Sequence, residues 1–357
     1  MKTMRWSVTP ILLAALIAAG GCSGKSGGGG GQAVTLTGAG ATFPYPLYSK
    51  WFELYRQKTG VQINYQSIGS GGGIQQVKAG TVDFGASDAP LDDAKLAEMP
   101  RPVIHFPTAA GAVVLAYNLP EVKDTVKLTP AAVAGIFMGK ITKWNDAAIA
   151  SANKGVKLPA SAILPVHRSD GSGTTNIFVT YLSAVSPEWK SAVGTGTSVS
   201  WPAGVGGKGN EGVAGNIRQA PGSIGYVELA YAQQNNFTVA SVQNASGAFM
   251  APSLASTTAA VRGAAAALAQ DVRTPIVNSP APDAYPIAGL TYLLVYQDSP
   301  DEAKGKALAQ FIEWANTEGQ QAMEALSYAR LPQEVLNVNQ ANLAKLTAGG
   351  KQALAAK

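Results

Sequence analysis

Apolar and polar positions along the chain switch between two periods, and the switches mark short strands followed by amphipathic helices. Residues 33–37 (AVTLT) predict a strand. Over 47–58, Leu47, Trp51, Leu54 and Tyr55 share one helical face, which Gly60 ends. Residues 61–66 predict a second strand, 73–79 a helix, and Val82-Asp83-Phe84 a buried strand. The unbroken apolar run 112–117 (AVVLAY) suits a strand covered on both faces. Thr129-Pro130 reads as a helix start, with the hydroxyl as cap and proline in the first turn. Ile163 to His167 predicts a strand, 174–184 a helix and Tyr292 to Tyr296 a strand, while Leu308, Phe311, Ile312 and Ala315 mark a strong helix face. The Gly/Pro-rich zone 194–225, which also holds Trp201 and Ile217, predicts loops inside a domain rather than a linker. Trp51, Trp144, Trp189, Trp201 and Trp314 are expected as core anchors. Alternating strands and helices predict an α/β architecture with largely parallel sheets, and 357 residues suggest two domains.

The first residues follow a different pattern. Lys2 and Arg5 precede the apolar stretch 10–19 (PILLAALIAA), which as a helix would span about 15 Å against a hydrocarbon core of about 30 Å. Small residues then lead to the chain's one cysteine, in Ala19-Gly20-Gly21-Cys22. Residues 1–21 therefore read as a signal peptide with a degenerate lipobox, Ala19 standing where Leu is usual, and Cys22 as the lipidated mature N-terminus. An ordinary signal peptide cut nearby is the alternative, and both send the chain out of the cytoplasm. Residues 22–31 then form a Gly/Ser tether with an r.m.s. reach of roughly 15–18 Å.

Composition narrows the chemistry. A chain that is 46% hydrophobic and 14% charged is not a disordered one. One Cys excludes a disulfide framework and a Cys-based zinc site, and two His, at 105 and 167, supply no histidine cluster. No metal and no cofactor is expected. The net charge of +5 falls by two when Lys2 and Arg5 leave with the leader, and no Lys/Arg block forms a nucleic-acid stripe.

Three glycine/hydroxyl loops carry the informative signal. Thr37-Gly38-Ala39-Gly40-Ala41-Thr42-Phe43-Pro44, Ile68-Gly69-Ser70-Gly71-Gly72-Gly73 and Asp170-Gly171-Ser172-Gly173-Thr174-Thr175 each follow a predicted strand and open a predicted helix. Helix N-termini offer unpaired N–H groups and partial positive charge, glycine lets an anion approach, and Ser or Thr adds a donor. Three such loops in one chain favour an oxyanion site over ordinary caps. Arg168 would add bidentate hydrogen bonds, oriented by Asp170; a surface ion pair is the plainer alternative. Asp88 would repel an anion unless the ligand carries a proton, as monohydrogen phosphate does; taken alone, an Asx turn or N-cap before Pro90 is the better explanation.

The strings LTGAGATFP, IGSGGG, VDFGASDAPL, RSDGSGTT, VGTGTSVSWPAGVGGKGNEGV and IGYVELAYA resemble the periplasmic phosphate-binding protein of the phosphate-specific ABC importer, from about Leu36 to about Leu331. The resemblance implies a two-lobed periplasmic-binding-protein fold of type II. Its mixed, mainly parallel sheets would be flanked by helices, with a hinge of two crossover strands near 112–117 and 287–295. Residues 32–114 with 287–357 would form lobe I, and 115–286 lobe II. It places phosphate on Thr42, Phe43 (backbone N–H), Ser70, Asp88, Arg168, Ser172, Gly173 (backbone N–H) and Thr174, with Asp170 pairing the arginine. Ser70-Gly71 stands where relatives have two serines, and His167 precedes Arg168; neither touches an expected ligand side chain. The implied partners are inorganic phosphate and the permease and ATPase of the importer, with the protein acting as a periplasmic monomer; lipid on Cys22, its only expected membrane attachment, would set it apart from relatives that float freely in the periplasm. A phosphatase or another oxyanion binder on the same fold is the alternative, but no nucleophile or metal ligand set is visible. Ser172 fails the hydrolase elbow because Asp170 occupies its first glycine position, and neither Gly24-Lys25-Ser26 nor Gly207-Lys208-Gly209 completes a P-loop.

Overall fold

The computed structural model describes residues 34–354, so the leader, Cys22 and the glycine tether lie outside the described residues. In chain order the elements are β1 (Thr35–Gly40), α1 (Tyr45–Thr59), β2 (Gln62–Ser67), α2 (Ser70–Lys78), β3 (Phe84–Ser87), α3 (Asp93–Ala97), β4 (Val103–Tyr117), β5 (Lys127–Leu128), α4 (Pro130–Phe137) and α5 (Ala147–Ala150). There follow β6 (Leu164–Arg168), α6 (Gly173–Val185), α7 (Pro187–Ala192), β7 (Val205–Gly207), α8 (Gly209–Gln219), β8 (Ser223–Glu228), α9 (Leu229–Gln234), β9 (Thr238–Val239), β10 (Ser241–Gln243) and β11 (Phe249–Met250). The chain closes with α10 (Leu254–Gln270), β12 (Ala288–Tyr296), β13 (Asp298–Ser299), α11 (Glu302–Asn316), α12 (Gln333–Leu343), β14 (Thr347–Ala348) and β15 (Lys351–Gln352).

One mixed sheet organises the molecule, in the order β2-β1-β3-β12-β4-β8-β6-β7, with β9 also on β4. Its two ends are parallel: β1 with β2 and β3, and β6 with β7 and β8. The middle is antiparallel, because the long strands β4 and β12 run against each other and against their outer neighbours. Residues 103–112 of β4 pair with β12, and 113–117 with β8, so a single strand passes from one end of the sheet to the other. The apolar run marked only the second half of β4. The first half is hidden by Pro107, which has no ladder N–H. A register shift between Thr291 and Tyr292 skips Thr108, a bulge that absorbs the proline.

Other elements show where periodicity and packing differ. The α1 face buries Leu47, Tyr48, Trp51, Phe52 and Tyr55, and Leu54 only in part. Phe52 and Tyr55 meet Phe311 of α11, so the aromatic contacts choose the face. Thr129 caps α4 through Ala132 N–H, and Leu308, Phe311, Ile312 and Ala315 are buried on α11. Trp51, Trp144, Trp189 and Trp314 are core residues, whereas Trp201 is half-buried and stacks on His167 at 4.8 Å. The zone 194–225 is not only loop: it contains β7, α8 and the start of β8. A Cβ on Gly207 would sit 2.6 Å from Val213 N, so glycine there lets α8 lie against the strand, and low hydrophobicity disguised the helix. Helix α10 shares a core with Ala110, Leu331 and Val335, on the side of α12. Among the described residues no helix is long and apolar enough to cross a membrane.

Candidate functional site

Strands β1 and β3 run opposite to β6 across the sheet, so their C-terminal ends point towards each other from its two parallel groups, and the turns leaving them converge. Gly40 ends β1 with φ +145, and a Cβ there would strike Ala86 O at 2.0 Å, so two strand ends approach as only glycine permits. The chain then turns through Thr42 and Phe43 into α1. At the second loop the helix begins earlier than the sequence suggests. Ser70 is its first residue rather than part of the preceding loop, and Gly71 to Gly73 lie within its first turns. Close packing explains this: a Cβ on Gly73 would lie 2.5 Å from Gly40 Cα, and one on Gly71 3.0 Å from Gly171 Cα. The third loop is capped by Ser172, whose hydroxyl accepts from Thr175 N–H at 3.0 Å.

Across this junction, Gly71 N–H donates to Gly171 O at 2.9 Å, and Gly173 N–H to Ser70 Oγ at 3.0 Å. Ser70 Oγ also accepts from Asp88 N–H at 3.2 Å and lies 3.5 Å from Asp88 Oδ2. Hydrogen bonds join Ser70, Asp88 and Gly173 and, through Asn210, join Thr42 to Thr174, Arg168 and Asp170; Phe43 and Ser172 are buried next to them in the chain, and Cys22 lies outside the described residues. Phe43 O is bonded by Tyr328 OH at 2.6 Å and Thr42 O by Tyr231 OH at 2.6 Å, which hold the first loop from behind.

Arg168 is the cluster's cation, with a side chain only 1% exposed. Its Nε and Nη2 donate to Asp170 Oδ1 and Oδ2 at 2.7 and 2.6 Å, a side-on bidentate pair, and Nη1 reaches Thr174 Oγ1 at 3.4 Å. The end edge of the guanidinium thus remains for an anion. Burial would raise the Asp170 carboxyl, but the Arg168 hydrogen bonds and charge, with Gly209 N–H, outweigh it and hold it low. This is a buried, oriented pair and not the surface pair that the residue spacing alone allowed.

Two other carboxyls behave oppositely. Burial pushes Asp88 up to about 7, with the Thr291 hydroxyl, the Arg168 charge and Ser70 pulling the other way. Its Oδ1 is buried without a hydrogen-bond partner. The Thr291 hydroxyl, which most lowers this carboxyl, is itself without a partner, and an acceptor left open in a buried site is what a proton-bearing oxyanion requires. Burial also pushes Glu228 well above the usual range. Tyr328 OH lies 2.6 Å from Phe43 O and 3.0 Å from Glu228 Oε2; with a single proton it serves one of them, and a protonated Glu228 supplies the other.

Three residues of the cluster were not anticipated. Tyr226 OH receives Arg168 N–H at 3.0 Å and meets Thr175 Oγ1 at 2.6 Å. Gly209 N–H donates to Asp170 Oδ1 at 3.0 Å. Asn210, fully buried at the start of α8, donates through Nδ2 to Thr42 Oγ1 at 2.7 Å and Thr174 Oγ1 at 3.2 Å. The string GGKGN resembles the other glycine loops, a signal that would have pointed to Asn210 had α8 been recognised.

A sequence model of the PBP superfamily domain matches residues 26–318. The phosphate-binding protein PstS of Xylella fastidiosa is 50% identical over 84% of this chain and 82% of its own length. That of Pasteurella multocida is 47% identical over 87% and 90%. Among solved structures, a phosphate-binding protein from Stenotrophomonas maltophilia shares the fold with a TM-score of 0.69 at 19% identity, covering 91% of this chain and 99% of that one.

Proposed function

This chain belongs to the PBP superfamily, among its PstS phosphate-binding proteins, and from that premise we propose that its buried cluster binds inorganic phosphate as the monohydrogen anion. The observation that carries the reading is the buried, unpartnered Oδ1 of Asp88, on a carboxyl whose Oδ2 lies 3.5 Å from Ser70 Oγ and which feels the Arg168 charge. Phe43 adds a main-chain N–H and Ser172 a hydroxyl, Asp170 orients the arginine, and Gly173 N–H, which here donates to Ser70 Oγ, would turn from it to the anion. Residues 32–114 with 287–357 form one lobe of this reading and 115–286 the other, hinged where β4 and β12 cross the middle of the sheet. The packing of α10 against α12 favours its moving with the first lobe. The loaded protein would deliver phosphate to the permease and ATPase of an ABC importer.

Calorimetric titration of phosphate-stripped protein with phosphate, arsenate and sulfate tests the reading. Phosphate is expected to bind and sulfate to bind at least about 10³-fold more weakly, because sulfate leaves the buried carboxylate facing an unprotonated oxygen. Tighter binding of sulfate, or binding of none of the three, overturns it. The leader and tether support a periplasmic protein lipid-anchored through Cys22. Cell fractionation checks this: Cys22→Ser is expected to leave the membrane fraction, and its retention there would refute the anchor.

A further inference from the structure

Asn210 touches the cluster without offering it an obvious ligand group, and its hydrogen bonds determine what its neighbours can offer. Glu228 N–H donates to its Oδ1 at 2.9 Å, and a main-chain N–H can only donate, so that atom is the oxygen and the other the amide nitrogen. The two Nδ2 protons therefore go one to each threonine, Thr42 Oγ1 and Thr174 Oγ1. Thr42 Oγ1 also receives Asn210 N–H at 3.2 Å, and Thr174 Oγ1 receives Arg168 Nη1 at 3.4 Å. A hydroxyl has two acceptor positions and one proton. On both threonines the acceptor positions are filled by groups that cannot accept in return, so each proton is directed away from them. Ser70 follows the same rule, its oxygen taking Gly173 N–H and Asp88 N–H.

Resting on the phosphate reading above, we propose that Asn210 is a positioning residue that makes Thr42 and Thr174 obligate donors, so that the site pairs with unprotonated oxygens. Asp88, whose Oδ1 has no partner and which as a carboxylate can only accept, is then the side chain that meets the ligand's proton. Asn210 also ties the loop after β1 to the start of α6, so this donor alignment is completed only when the two loops meet.

A double-mutant cycle on the full chain tests this, with phosphate as the probe and the parent titrated alongside. Asn210→Ala is expected to weaken phosphate binding about 10- to 100-fold, the worth of losing alignment at two neutral hydrogen bonds. Thr42→Val is expected to do about the same. The pair combined should bind worse than Thr42→Val by only about 3- to 10-fold, less than Asn210→Ala costs in the parent, because only Thr174 is then left for the asparagine to align. Asn210→Ser, which keeps one donor, should regain part of the affinity, whereas a residue that merely filled space would place Ser with Ala. Losses that multiply, an Asn210→Ala variant that binds like the parent, or Ser no better than Ala overturns the proposal. Ligand-free melting temperatures identify a variant that fails to fold; should Asn210→Ala do so, Asn210→Ser takes its place in the cycle, where the same multiplication of losses refutes the proposal. A parent that does not bind phosphate refutes the phosphate reading itself, whereas a parent that binds with a multiplicative cycle refutes only the role of Asn210.

Discussion

Replacing Arg168 with methionine is expected to lower phosphate affinity by about 10²–10⁴-fold. The side chain is buried, and its side edge is already committed to Asp170, so the end edge is the part an anion would lose. Two charge-assisted hydrogen bonds at about 1.5–3 kcal/mol each give that range. The same change strands Asp170, 13% exposed, without its partner, at a stability cost of about 3–5 kcal/mol. The two effects separate in the double variant Arg168→Met with Asp170→Asn. Its melting temperature should return towards the parent while its affinity stays low. Calorimetry and thermal unfolding read the two quantities independently. A single variant within tenfold of the parent in affinity, or a double variant that regains binding, would remove Arg168 from the site.

Much of this arrangement was legible because it is local in the chain. Arg168, Asp170, Ser172, Gly173 and Thr174 lie within seven residues, and the strand-to-helix turn that holds them is written in the same string. The Gly40 and Gly69 turns were legible for the same reason. What escaped depends on contacts between distant segments. Thr42 and Asn210 are 168 positions apart, and a helix carrying Gly209, Gly212 and Gly215 gives little periodic signal. Tyr226 lies on a strand buried at every position, where nothing in the sequence distinguishes a packing tyrosine from one that braces an arginine. The Arg168–Asp170 spacing was compatible with an exposed pair, and only burial raises it above that. The start of α2 was misread because glycine ordinarily breaks helices, yet here the glycines of its first turn are what let Gly40 and Gly171 approach.

Asp88→Asn should narrow the preference for phosphate over sulfate by about 10²-fold or more while making the phosphate-stripped protein more stable at pH 8. Both effects follow from one buried carboxyl. In the parent, burial raises it to about 7 from the ordinary carboxylate range, so the folded chain holds a proton that the unfolded chain releases near pH 4. The stability this group contributes is therefore full below the unfolded value and is lost as pH rises through about 7. At about 1.4 kcal/mol per pKa unit, the loss at pH 8 is of the order of a few kcal/mol, and an amide, neutral throughout, avoids it. His105 complicates the acid side. Burial holds it down to about 4, so its contribution falls as pH drops from about 6.5, opposite in sign to that of Asp88. The comparison is cleanest near pH 8, where His105 is neutral whether folded or not; Glu228, which burial also raises, is common to parent and variant, so the difference between their denaturant midpoints reports the aspartate. Selectivity changes because an amide can present either its oxygen to the ligand's proton or its N–H₂ to a bare oxygen, so sulfate no longer meets an unpaired charge. Competition titration of phosphate against sulfate measures the ratio. An unchanged ratio would mean that Asp88 does not read the ligand's proton, and an unchanged midpoint at pH 8 would mean that the carboxylate is not strained by its burial. A site that discriminates through an uncompensated buried acid is expected to sacrifice stability for that discrimination, and this single substitution should show both sides of the exchange.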